Sequence, residues 1–213
     1  MAEDLLKIYE ETFKQMLKPV KNVPFFVIIK GISDKEVLQY DETGKAGLVK
    51  AARAAATKIN AAGITSARPN EVGNYIEPYV IDALNKNGFT AAKPSTPAKG
   101  VKSAGYPDIY AVHSGKSFYI ECKTYAEKNV ATTQRSFYLS PSTDFKVTRD
   151  AFHLVFAYSI KPVGTGLYKT DGFRILDIRS LLCDLKYEFQ SDNRRLYSTD
   201  KGSILIYRER IVP

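Results

Sequence analysis

Pro107 and Asp108 are followed, thirteen residues after the aspartate, by the triplet Glu121-Cys122-Lys123. The stretch between them, IYAVHSGKSFYI, is two runs rich in aromatic and β-branched residues about Ser114-Gly115-Lys116, and it reads as a hairpin with both carboxylates on strands. Side chains alternate faces along a strand, so Glu121 and Lys123 share one side while Cys122 points the other way, into packing. A hairpin register brings Asp108 beside them. Two adjacent carboxylates offer oxygen ligands to a hard divalent cation, which relieves their mutual repulsion. A lysine ammonium beside them can orient or deprotonate a water for attack on a phosphodiester. The plain alternative is a surface hairpin whose Glu121 and Lys123 form a solvated pair.

The elements that must position these groups follow from periodicity. Residues 3–17 carry Leu5, Leu6, Ile8, Tyr9, Phe13, Met16 and Leu17 at helical spacing, and Pro19 ends that helix. After a short apolar run at 25–29, residues 46–62 predict a second helix, with Leu48, Ala52, Ala55, Ile59 and Ala62 on one stripe and Lys50, Arg53, Thr57 and Asn60 on the other. A third helical segment, 71–87, ends at Gly88, and Pro78 within it marks a kink or a helix start. Residues 89–93 then read as the first strand of a core. PSTPAKGVKSAGYP follows, a basic loop without an acid that leads directly to Asp108. Beyond Lys123 come a polar segment, 124–150, and a fully buried strand, 151–160. Next, LYKT-DG-FRIL predicts a hairpin turning at Asp171-Gly172, Asp177 caps a helix over 178–185, and a last hairpin turns about Asp200-Lys201-Gly202.

Composition narrows the partner. The 213 residues are 44% apolar, enough for a substantial core in one domain. Lys and Arg number 31 against 23 acids, and the net charge of +8 favours an anionic partner such as nucleic acid. The two cysteines, Cys122 and Cys183, form no CxxC or Cys/His cluster, which argues against a zinc site or disulfide framework and fits a reducing cytoplasm. The longest apolar stretch, 24–29, is far too short to cross a bilayer, no leader pattern is visible, and no membrane role is expected.

Pro107-Asp108, a hairpin of this length and Glu121-x-Lys123 together resemble the PD-(D/E)xK motif, the core of a nuclease superfamily that includes most type II restriction endonucleases and many repair and recombination nucleases. The resemblance covers residues 70–185 and implies an α/β fold, a mixed central β-sheet flanked by helices. Residues 1–69 would then be a helical N-terminal elaboration and 186–213 a C-terminal hairpin within a single nuclease domain of 1–213. It also implies Mg²⁺ as cofactor, held by Asp108, Glu121 and the backbone carbonyl of Cys122, with Lys123 orienting water for in-line attack on phosphorus. Glu77, with Glu71 as the alternative, matches a glutamate that often faces the site from the preceding helix, and Pro78 beside it departs from the pattern. Gln134, eleven residues after Lys123, either supports the site, as in some branches, or contacts a base.

The leading reading is a type II restriction endonuclease that cuts double-stranded DNA at a short sequence, working as a homodimer with helix 3–17 as one candidate contact and a cognate methyltransferase as functional companion. Lys50 and Arg53 lie in a stretch without acids between Thr43 and Asn70 and read either as phosphate contacts or as a solvated helix face. Lys99 and Lys102 of the basic loop are further DNA candidates. The segment leaving Lys123 holds Asn129, Gln134, Arg135, Lys146 and Arg149, side chains that match base edges. Arg135 and Arg149 read equally as phosphate contacts or as partners of Asp144 and Asp150. His113 and His153 sit in strand-like runs without ligand-spaced partners and read as packed or edge histidines. Two other readings stand: a structure-specific nuclease such as a Holliday junction resolvase or repair nuclease, and a non-catalytic basic DNA-binding module.

Overall fold

One parallel strand pair lies at the centre of an otherwise antiparallel sheet. The computed structural model describes residues 2–66, 72–73, 75–98, 100, 105–133 and 135–188. In chain order the elements are α1 (Ala2–Met16), β1 (Val20–Pro24), α2 (Phe25–Ser33), α3 (Lys45–Ala62), β2 (Ile64–Thr65), α4 (Glu77–Lys86), β3 (Thr90–Ala92), β4 (Ile109–His113), β5 (Lys116–Tyr125), β6 (Phe152–Gly164), β7 (Leu167–Asp177) and β8 (Leu182–Leu185). Six strands form one sheet in the order β2-β7-β6-β5-β4-β3. Only β5 and β6 run parallel; the other pairs are antiparallel, so the sheet is mixed as expected.

The chain divides into two compact units, Val23–Cys183 and a smaller one joining Met1–Asn22 with Asp184–Pro213. In the smaller unit α1 exposes Leu5, Leu6, Ile8, Tyr9 and Phe13. The Asn22 amide there donates to Asp184 Oδ1 at 3.0 Å. The sheet lies in the larger unit.

The pleat of β5 and β6 sorts that unit into two cores. In register, Phe118 meets Phe152, Ile120 meets Leu154 and Cys122 meets Phe156. These side chains join Leu48, Ala52, Ala55 and Ile59 of α3 and Val80 and Leu84 of α4 in one buried cluster. The alternating set, Tyr119, Val155 and Ala157, packs with Phe25 and Ile29 of α2 and with Tyr106, Phe145 and Val147. With helices on one face and α2 and the crossover loop on the other, β6 is buried on both sides from Phe152 to Ser159. Removing a ring such as Phe156, which is fully buried, costs about 3 to 5 kcal/mol.

The termini of α4 follow its residues. The helix begins at Glu77 with Pro78 in its first turn, where a missing N–H costs nothing, so the proline marks a start and not a kink. Gly88 adopts φ 87° beyond the last turn, and the Phe89 amide reaches back to the Leu84 carbonyl at 3.2 Å. The β4–β5 turn is Ser114-Gly115, both at positive φ, the twist that suits a two-residue hairpin.

Two expectations are corrected. Asp171-Gly172 is no turn: β7 runs straight through it, Ser159 faces Gly172 and Ile160 faces Thr170, so Asp171 is the extra residue of a β-bulge. The hairpin instead turns at Thr165-Gly166, where Gly166 takes φ 66° and a Cβ would meet the Ser66 carbonyl oxygen at 3.2 Å. Pairing along nearly the whole of β6 outweighs the local turn preference of an Asp-Gly step. The helix expected over 178–185 is likewise absent. Asp177 caps only a turn, accepting from the Arg179 amide at 3.0 Å, while the carbonyls of Arg179 and Leu181 are taken by the amides of Phe26 and Phe25 at the start of α2. Those long-range bonds use the carbonyls a helix would need, and β8 forms instead. The hairpin expected about Asp200-Lys201-Gly202 lies outside the described residues.

Candidate active site

At the open end of the β4–β5 hairpin Ile109 faces Ile120, so the next rungs set Asp108 beside Glu121 and Pro107 beside Cys122. Here the aspartate side chain replaces the main-chain ladder: the Cys122 amide donates to Asp108 Oδ2 at 2.8 Å. A strand residue turns its N–H and C=O to the same side, so the Cys122 carbonyl also faces Pro107, which has no N–H to give. The proline thus leaves an acceptor without its ladder donor next to the aspartate. Cys122 itself is buried in the helical-face core, as alternation required, while Glu121 and Lys123 stand on the opposite face.

Glu121 is buried, with its side chain 6% exposed. Its Oε1 accepts from Lys123 Nζ at 2.6 Å; Oε2 is buried and has no hydrogen-bond partner. Burial first, and then the charge of Asp108, push the Glu121 carboxyl up to about 7. Burial also raises Asp108, against the pull of the Cys122 amide and the Lys123 ammonium. Burial draws Lys123 down, but Glu121, by charge and hydrogen bond, together with Asp108 outweighs it, and the ammonium ends above its ordinary value. Lys123 therefore rests protonated, suited to orienting an oxygen and not to taking a proton. Its Nζ also lies 5.6 Å from the centre of the Tyr138 ring, over which Arg135 sits at 5.0 Å.

A third carboxylate approaches from the start of α4. Glu77 is 14% exposed at its side chain and pairs with Lys93 at 3.4 Å. Burial and then the Asp108 charge raise its pKa, so it shares the field of the pair. Glu71 lies outside the described residues, as do Lys99, Lys102 and Gln134.

The structure sorts the expected DNA-contact residues by exposure. Lys50 and Arg53 stand exposed on α3, and Asn129, Arg135 and Arg149 are exposed on the crossover between β5 and β6. Lys146, expected among the groove-facing cations, is instead 2% exposed, and its ammonium donates to the carbonyls of Gly105 at 2.5 Å and Pro107 at 2.9 Å. Lys93 and Lys146 were not read from the sequence as parts of the carboxylate cluster. The available signal was the apolar pair Phe145 and Val147, which draws the lysine between them inward. His113 stacks on Phe89, and His153 is buried with Nδ1 2.6 Å from the Tyr106 hydroxyl. Burial holds His153 down at about 3, so it is a neutral packed group.

The donors suit a hard cation. Two repelling, half-desolvated carboxyls flank each other, and one of their oxygens is buried without a partner. Among the described residues no cluster of three or more His, Cys, Asp or Glu side chains is arranged to hold a metal. An ion here would complete its shell with main-chain carbonyl and water oxygens, the habit of Mg²⁺.

A mixed sheet flanked by helices, with this acidic pair and lysine on one face, has the restriction-endonuclease-like fold. Comparison with known proteins narrows it: residues 19–200 match the model of the type II restriction enzyme MjaV family. The type II restriction enzyme MjaV of Methanocaldococcus jannaschii is 36% identical to this chain across 94% of each. The chain belongs to the MjaV family of type II restriction enzymes, and is a restriction endonuclease. No solved structure matches it. Among the described residues no helix is long and apolar enough to cross a membrane.

Proposed function

We propose that this protein hydrolyses phosphodiester bonds of duplex DNA at a short specific sequence, with Asp108, Glu121 and Lys123 as its catalytic residues and Mg²⁺ as cofactor. The observation that carries the reading is the buried, unpartnered Glu121 Oε2 beside Asp108 with Lys123 on the same face. Asp108, Glu121 and the Cys122 carbonyl would hold the ion, which when bound supplies Lewis acidity toward the phosphate and lowers the pKa of water. Lys123 points the attacking oxygen at phosphorus. Glu77 stands at the rim as an outer or second ligand, and Tyr138 and Arg135 border the site where the phosphate would lie.

Exposed Lys50, Arg53 and Arg149 supply phosphate contacts, as do Lys99 and Lys102, and Asn129, Gln134 and Arg135 are the candidates for base readout. The working form is a homodimer in the cytoplasm, since one active site cuts one strand and two-fold symmetry addresses a palindrome. Exposed apolar side chains on α1 favour it as a contact. A cognate methyltransferase protects the host sites. Incubating the protein with plasmid DNA and Mg²⁺ tests the reading: discrete bands support it, cutting confined to branched substrates means a structure-specific nuclease, and retardation without cutting means a binding module.

A further inference from the structure

The segment that delivers Asp108 has a structural difficulty. The β4–β5 ladder begins at Ile109, and Pro107 has no N–H with which to extend it, so residues 105–107 are not held by strand pairing. The Tyr106 ring is buried with its hydroxyl 2.6 Å from His153 Nδ1, and the main chain on either side of it is held from elsewhere in the chain. Lys146, 41 residues beyond Gly105, inserts between the buried Phe145 and Val147 and donates to the carbonyls of Gly105 and Pro107, one on either side of Tyr106. Burying an ammonium is costly unless it is satisfied, and an apolar residue would pack between Phe145 and Val147 without that penalty. The charge also faces the site, within electrostatic reach of Asp108, Glu121 and Glu77.

We infer that Lys146 is a positioning residue: it clamps the turn at 105–107 and so fixes where Asp108 stands against Glu121. The inference rests on the reading of Asp108 as a functional carboxylate, but its geometry has a readout of its own. The Cys122 amide is bonded to Asp108 Oδ2, so its hydrogen exchange in the metal-free protein reports whether that carboxylate is in place.

The test compares Lys146→Met, which keeps length and loses every donor, and Lys146→Gln, which keeps a donor, with the parent. In Lys146→Met the Cys122 amide should exchange about 10-fold faster or more, while the Ile120 and Leu154 amides stay within about 3-fold of the parent. On cognate duplex with Mg²⁺, kcat should fall by about 10- to 100-fold with KM nearly unchanged, because only the alignment of the reacting groups is lost. Lys146→Gln should fall between, and it carries the test alone should the methionine variant not fold. An unchanged Cys122 amide and kcat would overturn the inference. So would equal acceleration of all β5 amides with a lowered Tm, which assigns Lys146 to general stability. Failure of the parent itself to cut DNA would count against the nuclease reading, while the exchange result would still decide the clamp.

Discussion

Asp108 Oδ2 accepts the main-chain amide of Cys122 at 2.8 Å, so one carboxylate of the site is tied to the strand that carries the other. The spacing of Asp108 from Glu121 is therefore set at the mouth of one hairpin, and Lys146 holds the segment that enters it. Asp108→Asn retains an oxygen for that amide and removes the charge. It should fold with a Tm close to the parent, bind duplex in Ca²⁺ within a few-fold, and lose at least about 100-fold in single-turnover cleavage. Glu121→Gln and Lys123→Ala should show the same pattern.

Stability of the metal-free protein should depend on pH through Glu121. Its folded pKa, about 7, lies above the ordinary 4.5, so the folded state holds the proton more tightly than the unfolded chain. The associated stability is fully present below about 4.5 and is lost as pH rises through 7, a change on the order of 3 kcal/mol. Denaturant unfolding from pH 4 to 8 in EDTA should show this decline in the parent and a weaker one in Glu121→Gln. Parallel curves for the two proteins would remove Glu121 as the titrating group. At limiting Mg²⁺, cleavage should rise with pH across the same interval.

Lys50 and Arg53 are exposed along α3, and no shielding acid lies in that helix. If both touch phosphates, the double alanine variant should weaken binding on every duplex and reduce the slope of log K against log salt by roughly one per contact. An unchanged slope would make this stripe an ordinary solvated face.

The geometry of the candidate site was legible where it is local. Asp108, Glu121 and Lys123 fall within one hairpin whose period-2 pattern sets their faces, and the structure keeps that register. The helices were legible for the same reason, since a 3.6-residue stripe such as Leu48, Ala52, Ala55 and Ile59 is written along one element. What was not legible depends on partners far along the chain. Asp171-Gly172 carries a turn signal that β6 overrides, and the carbonyls of residues 179 and 181 are claimed by α2, more than 150 positions earlier. Lys146 was misplaced because a surface cation and a buried clamp have the same side chain, and only the carbonyls of Gly105 and Pro107 distinguish them.

Arg135 lies over the Tyr138 ring, which Lys123 also approaches, so its guanidinium borders the proposed catalytic lysine. If it reads guanine with both donors, Arg135→Ala should cost about 1 to 3 kcal/mol on the cognate duplex and little on random DNA. Equal losses on both would assign it to the backbone and direct attention to Lys99 and Lys102.

The most direct measurement is cleavage of one plasmid by the parent and by Asp108→Asn, each with Mg²⁺ and with EDTA. The parent with Mg²⁺ should give a discrete set of fragments, while EDTA or the substitution should leave the DNA intact though still bound. Cutting by Asp108→Asn at the parental rate, or undiminished cutting by the parent in EDTA, would contradict a metal-dependent site built on Asp108 and Glu121.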